Sequence, residues 1–304
     1  MMDLKSREAG TQEDMFLSDE VEKIKNKANG FASLKIKPAS HFFSTPPPPI
    51  KWLVRGMMES KNVVMLAGAP KTAKSWFALE MAICVASGSN MCGDPLLQGS
   101  DTRNAVLCFM LEDSEHSVYS RVKSMALGKG ITDVGGLDMY FRFGGGIDLS
   151  DTQTAHQLAA DIAANIPNLA LITFDPFRNL HSGDENNSAE IIQIMENLRH
   201  IRTVTGASIL IVHHTRKPSA SDQKNPMNAG FTVRGSGAIF GAVDGLITMM
   251  NVDSLGDEPD CFKNNVFIRV KAGREATPFS AELRIYDGED GRAEKAYWKT
   301  GGLI

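Results

Sequence analysis

From about residue 60 onward, short apolar runs alternate with segments of helical period, the pattern of strands buried in a parallel sheet with helices laid over it. Strands are predicted at 62–68 (NVVMLAG), 105–111 (AVLCFML), 139–143 (MYFRF), 169–175 (LALITFD), 208–214 (SILIVHH), 245–250 (GLITMM) and 265–271 (NVFIRVK). Helices are predicted at 75–87, 114–128, 152–165, 188–206 and 235–243. The closing stretch FSAELRIYDGEDGRAEKAYW alternates like a hairpin around Asp287-Gly288. The fold class expected from this order is α/β: a mostly parallel central sheet flanked by helices, with a C-terminal β-hairpin. Residues 1–45 carry little apolar periodicity beyond a charged helical candidate at SDEVEKIKNKANG, and read as a polar tail for assembly or partner binding. No internal repeat of solenoid length is found.

Composition narrows the picture. The 304 residues are 42% hydrophobic and 22% charged, enough for one large core with a small appendage. A net charge of −4 supplies no global basic field, so any contact with nucleic acid must come from local loops. Cys84, Cys92, Cys108 and Cys261 show no paired spacing and no histidine placed to complete a zinc site, so they read as reduced thiols. The polar start MMDLKSREAGTQEDMF lacks a secretory apolar core, and no run approaches the roughly 18 apolar residues of a membrane span. A cytoplasmic protein without membrane contact is expected.

The candidate chemistry lies at strand ends. Between the first strand and first helix, Gly68-Ala69-Pro70-Lys71-Thr72-Ala73-Lys74-Ser75 follows the pattern G-x-x-x-x-G-K-[ST], with Trp76 next in the helix. Backbone N–H groups and the helix N-terminus would enclose phosphates, Lys74 would reach the β and γ phosphates, and the Ser75 hydroxyl would bind Mg²⁺. The alternative is a lysine-containing helix start with no ligand. Ala73 stands where such loops carry glycine, and its methyl is tolerated there if φ is negative. The stiff Pro46–Pro49 run just ahead, with Ile50, Trp52 and Leu53 to anchor it, reads either as a linker or partner ligand or as a lining of the base pocket.

Four further strand ends carry polar groups. Glu112 follows the second strand, where it would orient an attacking water while Asp113 or Ser114 caps the next helix. Asp175 ends an apolar strand, a costly place for an acid unless it meets a cation, so it reads as a Mg²⁺-associated acid or a loop cap. His213 and His214 end another, as a γ-phosphate sensor or as structural histidines. The long polar stretch 215–233, with Arg216, Lys217 and Lys224, suits contact with a nucleic-acid backbone, as does the shorter loop at 178–190; a solvated loop is the alternative. Lys271 and Arg274, after the seventh strand, would reach a neighbouring subunit's γ-phosphate in a ring, or form surface ion pairs.

Taken together, GAPKTAKS, Glu112, Asp175, VHHTRK and VRGSGAIFGAVDG resemble the RecA-like ATPase family of plasmid RepA-type hexameric replicative helicases, over roughly residues 45–285. The resemblance implies a RecA-like P-loop NTPase core at 46–304 that forms a ring, hydrolyses ATP with Mg²⁺ between subunits and acts on single-stranded DNA. It implies that Lys74 and Ser75 are nucleotide and metal ligands, Glu112 the catalytic base, Asp175 the Mg²⁺-associated acid, His213 or His214 the sensor, and Lys271 and Arg274 trans-acting cations. Arg234 matches an arginine of the segment after the DNA loop, joining Arg216, Lys217 and Lys224 as expected DNA contacts. The chain departs from the family pattern at Ala73 and in its 45-residue tail.

The leading expectation is thus a ring-forming, DNA-acting ATPase of the replicative-helicase type. A nucleotide-dependent assembly or regulatory ATPase, with slow turnover and no unwinding, is the second reading, favoured by Ala73 and the near-neutral charge. A small-molecule kinase shares the loop but would need an arginine-rich lid, and none is evident.

Overall fold

The apolar runs become strands of one sheet in the computed structural model, which describes residues 36–100, 104–183, 187–214, 238–251, 261–271, 279–287 and 293–303. The chain divides into two units, Met1–Ile50 and Lys51–Ile304. In the first, helix α1 (Ala39–Ser44) carries Phe42 and Phe43, whose rings meet edge-on at 5.2 Å.

The second unit opens with a small antiparallel pair, β1 (Trp52–Val54) and β2 (Met58–Glu59). It continues through β3 (Val63–Gly68), α2 (Lys74–Ser87), β4 (Ala105–Met110), α3 (Glu115–Gly128), β5 (Met139–Phe143) and α4 (Thr152–Asn165). After these come β6 (Leu169–Asp175), α5 (Ser188–Thr205), β7 (Ser208–His214), α6 (Ala238–Ala242), β8 (Gly245–Asn251), β9 (Cys261–Lys271), β10 (Phe279–Asp287) and β11 (Ala293–Leu303). The sheet order is β11-β10-β9-β8-β3-β7-β6-β4-β5. Pairing is parallel from β8 across to β5 and antiparallel from β8 outward to β11.

The expected α/β fold, with its mostly parallel sheet, flanking helices and C-terminal hairpin, is therefore the observed one. β3 and β4 are buried at every position, as strands covered on both faces must be. The helices begin at side-chain caps where the sequence offers them: Ser114 accepts from Ser117 N–H, Asp151 from Thr154 N–H and Asn187 from Ala189 N–H. α2 and α5 end on left-handed glycines, Gly88 and Gly206.

Two apolar layers result. One gathers α2 and α3 against Val64, Leu66, Val106, Cys108, Leu210 and Val212. The other gathers α4 and α5 against Met65, Ala67, Phe109, Phe174, Ile209 and Ile211. The C-terminal hairpin does more than extend the edge. It curls over the first layer, setting Trp298 edge-on to Phe77 of α2 at 5.3 Å and Ala296 so close to α3 that a Cβ on Gly128 would collide with its carbonyl. This cover explains why α2 is buried continuously from Phe77 to Ala86 and shows no polar outer face. The seventh predicted strand is longer than expected, Cys261–Lys271, and runs antiparallel to β8.

Candidate nucleotide-binding site

Parallel pairing puts the carboxyl ends of the central strands along one edge: Gly68 lies opposite both His214 and Met249, and Met110 lies opposite Asp175. In an open α/β sheet this edge is where ligands bind. Gly68 turns the chain out of β3 in a space that admits no side chain, because an added Cβ would lie 2.7 Å from the Met249 carbonyl and 2.8 Å from Thr72 Oγ1. Thr72, itself buried, donates through Oγ1 to the Ala69 carbonyl at 2.9 Å and closes the loop.

The left-handed conformation falls on two residues of this loop that are not glycine, Lys71 (φ 66°) and Ala73 (φ 58°). The expected tolerance of Ala73 through a negative φ does not hold. A Cβ in this region costs roughly 1–2 kcal/mol per residue, so the loop is held by its surroundings rather than by local preference. Among these, Asn251 Nδ2 lies 3.5 Å from the Lys71 carbonyl, a long contact, and Ala73 accepts from Phe77 N–H at 3.0 Å to start α2.

Lys74 is almost wholly buried and donates through Nζ to the Ala69 carbonyl at 2.8 Å. Burial pulls its pKa down to about 8, against the attraction of Asp175. Asp175 shows the opposite response: burial pushes its carboxyl up to about 6, opposed by a hydrogen bond from the Ser75 hydroxyl and by Lys74 and Arg121, and reinforced by Asp113. Its Oδ2 is buried and accepts no hydrogen bond among the described residues. The hydroxyl of Ser75 and the unfilled oxygen of Asp175 form the hard-oxygen donor set that Mg²⁺ takes beside phosphate. Among the described residues no group of three or more His, Cys, Asp or Glu gathers into a separate metal site.

Burial of the Asp175 charge has a measurable consequence. A carboxyl with its folded pKa raised from 3.8 to about 6 favours folding fully below pH 4, and that contribution is lost as pH rises through 6. The loss amounts to about 3 kcal/mol at most. In metal-free buffer, Asp175→Asn is therefore expected to raise stability at pH 7.5 and to leave it nearly unchanged at pH 4. Denaturant unfolding at the two pH values checks this; equal effects at both would show that the charge is not the cause.

Glu112 is exposed just beyond β4, next to Asp113, which pairs with Arg121 at 2.8 Å, while Ser114 caps α3. The two histidines separate by strand alternation. His213 is buried on the α5 side, edge-on to Phe177 at 5.4 Å, whereas His214 follows Leu210 and Val212 on the α2 side, in register with Gly68. Arg216, Lys217, Lys224, Arg234 and Arg274, and the 215–233 loop, lie outside the described residues; Lys271 closes β9. One conformation and one residue escaped the sequence reading. Lys71 carries a positive φ that no residue name announces, and Arg121 lies eight positions beyond Asp113, where it reads as ordinary helix surface.

The fold and the loop define a P-loop domain of RecA-like type. The chain matches the AAA domain family over residues 32–220 and belongs to that family. Among solved structures it resembles one described as an ATPase domain, with TM-score 0.50 and 12% identity over 74% of this chain and 81% of that one. It also resembles a DnaB-like replicative helicase whose structure is described with its interactions with primase, with TM-score 0.55 and 13% identity over 94% of this chain and 73% of that one. No curated protein matches. Among the described residues no helix is long and apolar enough to cross a membrane.

Proposed function

We propose that this chain is an ATP-hydrolysing RecA-like motor that acts on single-stranded DNA, most simply as a ring-forming helicase of the replicative type. One observation carries the nucleotide reading: a desolvated Lys74 cation and a buried Asp175 oxygen without a hydrogen-bond partner among the described residues flank a loop too tight for any side chain at Gly68. Such a site is complete only with an anion against Lys74 and a cation against Asp175, which is the charge pattern of a magnesium nucleotide. The motor reading is supported by the fold shared with the solved ATPase domain and with the DnaB-like replicative helicase.

In this reading Gly68 to Ser75 hold the phosphates with backbone N–H groups and the α2 N-terminus, and Trp76 borders the loop. Lys74 moves from the Ala69 carbonyl to the β and γ phosphates, and Ser75 and Asp175 hold Mg²⁺. Bound Mg²⁺ supplies neutralisation of charge on the phosphate oxygens. Glu112 orients the attacking water, and His213 or His214 senses the γ-phosphate, with the register of His214 opposite Gly68 supporting the latter. Lys271 and Arg274 act on a neighbouring subunit's nucleotide in a hexameric ring, and Arg216, Lys217, Lys224 and Arg234 meet the DNA backbone.

The second reading, a regulatory ATPase with slow turnover and no unwinding, draws on the two left-handed non-glycine residues of the loop. A steady-state ATPase assay with and without single-stranded DNA separates the two. The motor is expected to turn over faster with DNA, by about tenfold or more; turnover indifferent to DNA, with no ATP-dependent ring by mass measurement, would leave the regulatory module.

A further inference from the structure

The catalytic role given to Glu112 raises a physical difficulty, because its side chain is exposed on a short connection between β4 and α3. An exposed acid on a free loop orients a water poorly, since catalytic geometry tolerates little displacement. The connection is pinned on both sides of Glu112. Before it, Leu111 N–H donates to the Asp175 carbonyl at 2.8 Å, tying the strand exit to the metal-side acid. After it, Asp113 accepts from Arg121 Nη1 at 2.8 Å, and Ser114 accepts from Ser117 N–H at 3.2 Å.

Arg121 is the part of this arrangement that reaches furthest. Its guanidinium comes from the second turn of α3, pairs with Asp113 and stands 5.6 Å from the centroid of the Trp76 ring in the first turn of α2. It thus joins the strand end, the following helix and the phosphate-loop helix. Both partners of the pair are only about a quarter exposed, at 21% and 26% of the side chain, and the aromatic face covers one side of the cation. A guanidinium between a carboxylate and a ring is fixed in direction in a way an ammonium is not.

We infer that Arg121 is a positioning residue for Glu112: standing over the Trp76 ring and paired with Asp113, it fixes the backbone from which Glu112 addresses the nucleotide. This inference rests on the proposed role of Glu112. It differs from a role for Arg121 as a direct phosphate ligand, which would appear as lost nucleotide affinity.

The test compares the full-length wild type with Arg121→Gln, Arg121→Lys, Asp113→Asn and the Arg121→Gln/Asp113→Asn double variant. Steady-state ATPase, equilibrium binding of a fluorescent ATP analogue, thermal unfolding and amide hydrogen exchange over 110–114 are measured. Arg121→Gln is expected to lower kcat about tenfold with KM and analogue affinity within about threefold, and to speed exchange at 110–114. Arg121→Lys recovers part of kcat, and the double variant is no slower than the worse single one. Unchanged kcat and exchange would overturn the inference, as would a fall in analogue affinity matching the fall in kcat, or full additivity in the double variant. If the wild type hydrolyses no ATP, the proposed function fails; faster exchange in Arg121→Gln would then still establish the clamp, and unchanged exchange would remove both.

Discussion

Replacing Lys74 by alanine is expected to abolish ATP turnover, lowering kcat/KM by at least about a thousandfold, while the protein stays folded. The reason is the state of the cation. Lys74 is nearly buried, its pKa is drawn down to about 8, and the carbonyl of Ala69 is its hydrogen-bond acceptor. Charge-assisted hydrogen bonds to phosphate contribute about 1.5–3 kcal/mol each, and more where developing charge is met in a site shielded from water. Two such bonds lost in the transition state account for a thousandfold or more. The apo fold should tolerate the change, because removing a desolvated charge relieves a cost. Phosphate release assays and thermal unfolding read the two effects separately.

Glu112→Gln is expected to behave differently, lowering kcat by about 10²–10⁴-fold with ATP binding retained. Glutamine keeps the size of the side chain and loses the acceptor charge that orients and deprotonates water. Because Glu112 is exposed beyond β4 and contributes to no core, unfolding temperature should not change. Single-turnover hydrolysis beside equilibrium binding checks this; loss of binding in parallel would place Glu112 in the phosphate cradle instead.

The parts of the fold legible in the sequence were those governed by local pattern. The runs ending in Gly68, Asp175 and His214 are largely apolar without alternation, and only a strand buried on both faces calls for that. The tight turn from Gly68 into α2 was legible because the glycine, lysine and serine spacing between a strand and a helix calls for it. What escaped depends on conformation or on tertiary neighbours. The names Lys71 and Ala73 do not disclose a left-handed backbone. The opposite facing of His213 and His214 follows from alternation, yet it becomes readable only once α2 is known to cover the Leu210 and Val212 side. The curl of β10 and β11 over α2 rests on Trp298 meeting Phe77, residues more than 200 positions apart in sequence. The contacts of Arg121 with Asp113 and Trp76 join three separate elements and show in no local pattern.

The central claim is that the loop from Gly68 to Ser75 binds magnesium nucleotide for hydrolysis at Glu112. Rapid-quench measurement of γ-phosphate release from ATP, with wild type, Lys74→Ala and Glu112→Gln at matched concentrations and with Mg²⁺ present, tests it most directly. The wild type is expected to release phosphate, Glu112→Gln to hold ATP bound but intact, and Lys74→Ala neither to bind tightly nor to release. Release by Lys74→Ala at the wild-type rate would contradict it.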